Sequence, residues 1–138
     1  MRGGYVHNRV LADSIKQKAL QLGVQVECEV TIEVERRILY GDLLIQGGDK
    51  RILVEVEMSS KRIDKDLVKA TALKVCEVWI VVPNPKVAEL VRRKIKQLMI
   101  VPGVTRLFIL LLPQALQRLE ELFELNSGSN VEKENKRK

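Results

Sequence analysis

The sequence predicts one α/β domain, a mixed β-sheet flanked by helices, in the order αβββαβαβα. Three observations lead there. The chain has 138 residues, 46% hydrophobic and 30% charged, which is the size and balance of a single soluble unit with a real core. Its apolar residues switch several times between a helical repeat and a two-residue repeat. Three strands in direct succession are followed by strand–helix–strand, the pattern of a meander that continues into parallel strands.

The elements follow in order. From about His7 to Leu22, Val10, Leu11, Ile15, Ala19 and Leu22 form a helical stripe, with Asn8 as a cap and Gly23 as a stop. Val24, Val26, Cys28, Val30, Ile32 and Val34 then alternate with Gln25, Glu27, Glu29, Thr31, Glu33 and Glu35. That is a half-buried strand with an acidic outer face, bent or broken before Arg36-Arg37.

The stretch from Tyr40 to Met58 organises the rest. Gly48-Asp49 suits a two-residue type II′ turn, which pairs Gly47 with Lys50, Ile45 with Ile52, and finally Asp42 with Glu55. Alternation puts Glu57 on the face of Asp42 and Glu55, with Val54, Val56 and Met58 on the other. Three converging carboxylates repel unless a cation sits among them, so a divalent metal site is the economical explanation.

Ser59-Ser60 is placed to cap the next helix, whose stripe is Ile63, Leu67, Ala70 and Leu73; Lys61, Lys65 and Lys69 recur four apart on another face. Val78 to Val82 is a continuous apolar run ended by Pro83, a buried central strand with Trp79 as core. Asn84-Pro85 opens a helix with Val87, Leu90, Val91, Ile95 and Leu98 inward. Pro102-Gly103 turns the chain into a buried strand, Thr105 to Leu112. A last helix, Gln114 to Leu125, is buried through Leu116, Leu119, Leu122 and Phe123. The domain is expected to span residues 1–125, and 126–138 to be a flexible basic tail.

Charge and composition narrow the function. The apolar runs are too short to span a bilayer, and no signal-peptide pattern opens the sequence, so a cytoplasmic protein is expected. Cys28 and Cys76 have no metal-ligand spacing and read as buried free thiols. Abundant Lys, Arg, Glu, Val and Ile with 4% aromatics is compatible with a thermophile. The net charge of +6 is clustered, in Lys61, Arg62, Lys65, Lys69 and Lys74 and again in Lys86, Arg92, Arg93, Lys94 and Lys96. Either these are two solvated helix faces, or they hold a polyanion, with Lys61, Arg62, Arg92, Arg93 and Lys96 as nucleic-acid contacts. The scarcity of aromatics favours backbone contacts to duplex or branched nucleic acid over base stacking.

Gly41-Asp42, then Glu55-Val56-Glu57, then a helix and a buried strand ending Val81-Val82-Pro83-Asn84 resemble the PD-(D/E)XK nuclease superfamily, which includes restriction endonucleases and archaeal Holliday-junction resolvases. The likeness spans roughly His7 to Leu112 and rests on element order as much as on motif. It implies a restriction-endonuclease-like fold and a metal-dependent nuclease cutting phosphodiester bonds, on DNA rather than RNA and with structure selectivity open. It also implies Mg²⁺ or Mn²⁺ held by Asp42, Glu55 and the Val56 carbonyl, completed by an acidic residue. Glu29 or Glu27 is better placed for that than Asp13. The sequence departs from the pattern at Glu57, where the family carries lysine. Glu57 is then an extra metal ligand, or the catalytic cation comes from the next helix, with Lys65 and Lys69 favoured over Lys61. A third outcome is an inactive nuclease-fold module that binds nucleic acid or a partner protein. A homodimer joined through Leu116 to Leu125 or the strand Thr105 to Leu112 is left open.

Overall fold

The computed structural model describes residues 2–98 and 105–123, with side chains from Asn8 onward. The elements are α1 (Arg2–Gln21), β1 (Gln25–Val34), β2 (Arg37–Gly47), β3 (Lys50–Val56), α2 (Ile63–Leu73), β4 (Glu77–Val82), α3 (Pro85–Gln97), β5 (Arg106–Leu111) and α4 (Leu112–Leu119). The strands lie in sequence order in one sheet. β1, β2 and β3 are antiparallel neighbours, and β3, β4 and β5 run parallel. This is the expected mixed sheet in the expected order. The Pro102-Gly103 turn, the end of the last helix beyond residue 123 and the tail at 126–138 lie outside the described residues.

Each face of the sheet buries its own apolar layer. On one face Leu43, Ile45, Ile52, Val54, Val56, Trp79 and Val81 meet Ile15 and Ala19 of α1 and Ala115 and Leu119 of α4. On the other, Leu44, Leu53, Val78, Ile80 and Val82 meet Ile63 and Ala70 of α2 and Ala88 and Val91 of α3. β4 is buried at every position because it is covered on both faces and paired on both edges, as parallel strands between helices are. Trp79 is core, and its indole N–H donates to Glu77 Oε1 at 2.8 Å. Burial pushes the Glu77 carboxyl up, but hydrogen bonds from Arg118 and Trp79 outweigh it, so Glu77 sits below its ordinary range. Arg118 grips both oxygens of Glu77, at 3.0 and 2.8 Å, and ties α4 to the sheet.

The Gly48-Asp49 turn forms as read, with Gly48 at φ 59° and Gly47 opposite Lys50. The bend anticipated in the first strand also exists. Val24 and Val26 join the layer under α1, whereas Val30, Ile32 and Val34 join the layer under α2. The strand changes faces at Glu29, which takes φ 48°, and β2 changes with it between Gly41 and Leu43. Cys28–Leu43 and Val30–Gly41 pair regularly on either side. The twist therefore falls on Glu29 and Asp42 together.

Several local expectations are corrected. Asn8 is not a cap, because α1 begins at Arg2. Val10 is 55% exposed and Leu90 41%; each lies on the flank of its helix's stripe. Ser59-Ser60 does not cap α2, which starts at Ile63 after Arg62 without a side-chain cap; Ser59 Oγ accepts instead from the Lys61 amide. Asn84 does cap α3, accepting from the Val87 amide at 2.9 Å, which is worth about 1 kcal/mol. α4 starts two residues early because Pro113 fits its first turn, and a wider turn at 120–123 follows; Leu116 and Leu122 are only partly buried. β5 is half-buried because it pairs on one side only. Cys28 is exposed and Cys76 intermediate, so neither is a buried thiol, although both are free. Among the described residues no helix is long and apolar enough to cross a membrane.

Candidate metal centre

The site lies where β2 and β3 part. Their pairing stops at Leu43–Val54, one pair short of the expected Asp42–Glu55. The reason is visible in one contact: Asp42 Oδ2 accepts the Val56 amide at 2.7 Å, replacing a backbone ladder bond with a side chain. Asp42 therefore reaches across toward β3 rather than standing beside Glu55 on a regular face. On the opposite edge of β3 the Glu57 amide donates to Val81 O at 2.9 Å. In a strand the N–H and C=O of one residue point to the same edge. The Val56 carbonyl accordingly faces the Asp42 side, where β2 has stopped pairing.

Glu55 points to the α2 face, into a space that the absence of a side chain at Gly41 leaves open. A Cβ at Gly41 would lie 2.9 Å from Leu53 Cδ1 and 3.3 Å from Glu55 Oε2. Gly41→Ala is expected to destabilise the protein by about 1–3 kcal/mol, the usual cost of overpacking. A chemical denaturation midpoint equal to wild type would show that the close approach is immaterial.

α2 lays its stripe on the same space. Ile63, Asp66, Lys69 and Ala70 are its buried residues. Lys69 Nζ lies 3.4 Å from Glu55 Oε2 and 3.5 Å from Asp66 Oδ1, with the three side chains at most 3% exposed. One oxygen from each of Glu55, Glu57 and Asp66 falls within 4.8 Å of the others. Glu55 Oε2 and Asp66 Oδ2 are buried without a hydrogen-bond partner; the approach of Lys69 to Glu55 is an ion pair without hydrogen-bond alignment.

The electrostatics follow from this crowding. Burial, then the charge of Asp42, pushes Glu55 up to about 8 against the pull of Lys69. Asp66 is pushed up to about 11, chiefly by burial and then by the facing Glu57 and by Glu55. Asp42 is also raised by burial, less so because the Val56 amide, Lys69 and Arg62 stabilise its charge. Carboxylates so placed hold either protons or cations. All-oxygen donors suit a hard divalent ion such as Mg²⁺ or Mn²⁺.

The structure sorts the candidate residues. Asp42, Glu55, Glu57 and Lys69 come together. Lys65, one turn before Lys69, is exposed, as are Lys61, which precedes the helix, and Arg62, whose charge still reaches Asp42. Glu29 lies between Cys28 and Val30, whose partners Leu43 and Gly41 flank Asp42, but outside the Glu55–Glu57–Asp66 group. It lines a cleft of about 320 Å³ with Asn8, Arg9, Asp13, Lys16 and Asp42. Arg92, Arg93 and Lys96 are exposed on the C-terminal half of α3. That half runs back from the strand ends where the cluster sits. Arg92 and Arg93 pair there with Glu89.

Asp66 escaped the sequence reading. Its signal was spacing: it falls three after Ile63 and four before Ala70, a carboxylate on an otherwise apolar buried stripe. Compared with models of known protein families and with curated proteins, the chain matches none.

Proposed function

We propose that this chain is a metal-dependent nuclease that hydrolyses phosphodiester bonds in DNA, built on the PD-(D/E)XK plan with its lysine moved to the following helix. One observation carries the reading. Lys69 from α2 brings its ammonium to 3.4 Å from Glu55, supplying a cation beside the carboxylates where the sequence has Glu57 in place of lysine. Asp42, Glu55 and the Val56 carbonyl are the residues that would hold Mg²⁺ or Mn²⁺. Glu55 Oε2, ion-paired with Lys69 but without a hydrogen bond, is the kind of buried oxygen that such an ion satisfies. When bound, the ion supplies Lewis acidity toward the phosphate and a lowered pKa to its water.

The side chains supply the rest. The Val56 amide fixes the Asp42 carboxylate through Oδ2, leaving Oδ1 for other partners. Glu55 and Asp66 hold the Lys69 ammonium, which is poised to donate to the attacking water or to a phosphate oxygen as negative charge grows there. Exposed Lys61, Arg62 and Lys65 lie at the start of α2, next to the cluster, where they would meet the phosphate backbone.

A second reading is favoured by a specific observation: Glu57, at the lysine position, is only 8% exposed and adds negative charge. On that reading the fold binds nucleic acid or a partner protein without cutting. The experiment uses labelled linear and four-way-junction DNA with Mg²⁺ or Mn²⁺, beside Asp42→Ala. Metal-dependent cutting by the wild type that the variant loses is the expected result. Salt-sensitive binding without any cutting would replace the nuclease with the silent binder.

A further inference from the structure

At the candidate centre Glu55, Glu57, Asp66 and Lys69 are buried, and only Asp42 is half-buried. A phosphate therefore reaches an ion held there past Asp42. That side chain also lines the cleft of about 320 Å³ between the first half of α1 and the strands, with Cys28, Glu29 and Leu43 on the sheet side. The change of face at Glu29 and Asp42 opens it. Ile15 and Ala19 are fully buried against the sheet, whereas Ala12, one turn earlier, is only partly covered and Arg9 is exposed.

Arg9 and Lys16 line the cleft from α1, two turns apart on one face. Among the described residues neither forms an ion pair, although Asp13 stands between them in the helix. Lys16 is half-buried, and an ammonium drawn partly out of water without a counter-charge costs stability until an anion meets it. We infer that Arg9 and Lys16 are positioning residues that hold the phosphate next to the one being cut, so that the DNA strand crosses α1 and passes Asp42. This rests on the nuclease reading and sets the path of the substrate within it. A strand carries a phosphate on every nucleotide, so one phosphate on an ion at Asp42 brings its neighbour to the cleft. Lys61, Arg62 and Lys65, at the start of α2, would meet phosphates further along. Asp13 and Glu29, exposed at the same cleft, oppose an anion there and would favour a cation.

The test uses the full chain and labelled duplex DNA, with cleavage followed in Mg²⁺ and binding read by fluorescence anisotropy in Ca²⁺. Arg9→Met and Lys16→Met are each expected to raise KM and Kd about tenfold and to lower the salt dependence of binding by about one phosphate contact, with kcat within about twofold of wild type. Asp13→Asn is expected to tighten binding. In duplexes carrying one neutral methylphosphonate on either side of the cut, one of the two positions should weaken the wild type as much as the variants are weakened. Arg9→Met and Lys16→Met should lose nothing further there. Circular dichroism establishes that each variant is folded, and the exposed Arg9 guards against a failure at Lys16. Unchanged KM and Kd in both Met variants, with the wild type cutting, would overturn the path and leave the nuclease reading standing. So would weaker binding by Asp13→Asn, the mark of a cleft that holds a cation, or an undiminished loss by the variants on every methylphosphonate duplex. No cutting by the wild type in Mg²⁺ or Mn²⁺ would remove the nuclease reading and the inference with it.

Discussion

Lys69→Met is expected to slow metal-dependent DNA cleavage by about 10²–10³-fold, the usual loss when one preorganised donor to a developing oxyanion is removed. Methionine keeps most of the volume and removes the charge. Lys65→Met, at an exposed position one turn away, is expected to weaken DNA binding but to keep the rate at saturating DNA within about twofold of wild type, because a contact to the phosphate backbone positions the duplex without touching the reacting atoms. The pair of variants separates a particular ammonium from general basicity of the helix. The Lys69 change also leaves Glu55 and Asp66 without their cation, and breaking a buried pair from one side costs about 3–5 kcal/mol. Rates are therefore compared in saturating Mg²⁺ and normalised to the folded fraction. Wild-type turnover in folded Lys69→Met would remove the lysine from the mechanism.

Without metal, the protein is expected to become less stable as pH rises from 5 to 8, by a few kcal/mol, because Glu55 is raised from 4.5 to about 8 in the folded state. The sign is fixed by linkage. Between those values the folded protein keeps a proton that the unfolded chain has released. The contribution is complete below 4.5 and is lost as pH rises through about 8. Asp66 extends the same trend, from 3.8 toward about 11. A divalent ion takes the deprotonated oxygens and reverses the loss, so Mg²⁺ should raise the melting temperature more at pH 8 than at pH 5. Thermal melts in EDTA and in excess Mg²⁺ across that range check both parts. A flat profile in EDTA would mean that the carboxylates are not held protonated by their burial, and a Mg²⁺ shift independent of pH would mean that the ion binds elsewhere than at these raised groups.

How much of this was legible in the sequence varies by residue. Gly48-Asp49 was enough to set the hairpin register, because a two-residue turn fixes the pairing of everything behind it. Asn84-Pro85 announced a helix start because the cap and the fixed φ act within one turn. Ser59-Ser60 carried a similar signal and failed; α2 begins three residues later, where Ile63 can reach the layer under the sheet. There tertiary burial outweighed a local cap.

The candidate site divides along the same line. The sequence by itself determined that Asp42, Glu55 and Glu57 come to one end of one hairpin, since alternation and turn length are properties of the local chain. It also offered three lysines at equal spacing, with Lys65 and Lys69 favoured over Lys61 but nothing to choose between those two. Only the packing of α2 against the sheet decided that Lys69 is buried among carboxylates while Lys65 faces water, and that Asp66 joins them. Likewise the strand showed its alternation but not the change of face at Glu29 and Asp42, which depends on helices covering opposite sides of the sheet. Periodicity says which residues share a side of an element. Which element that side meets, and so which charges share a buried space, is set by contacts between residues distant in the chain.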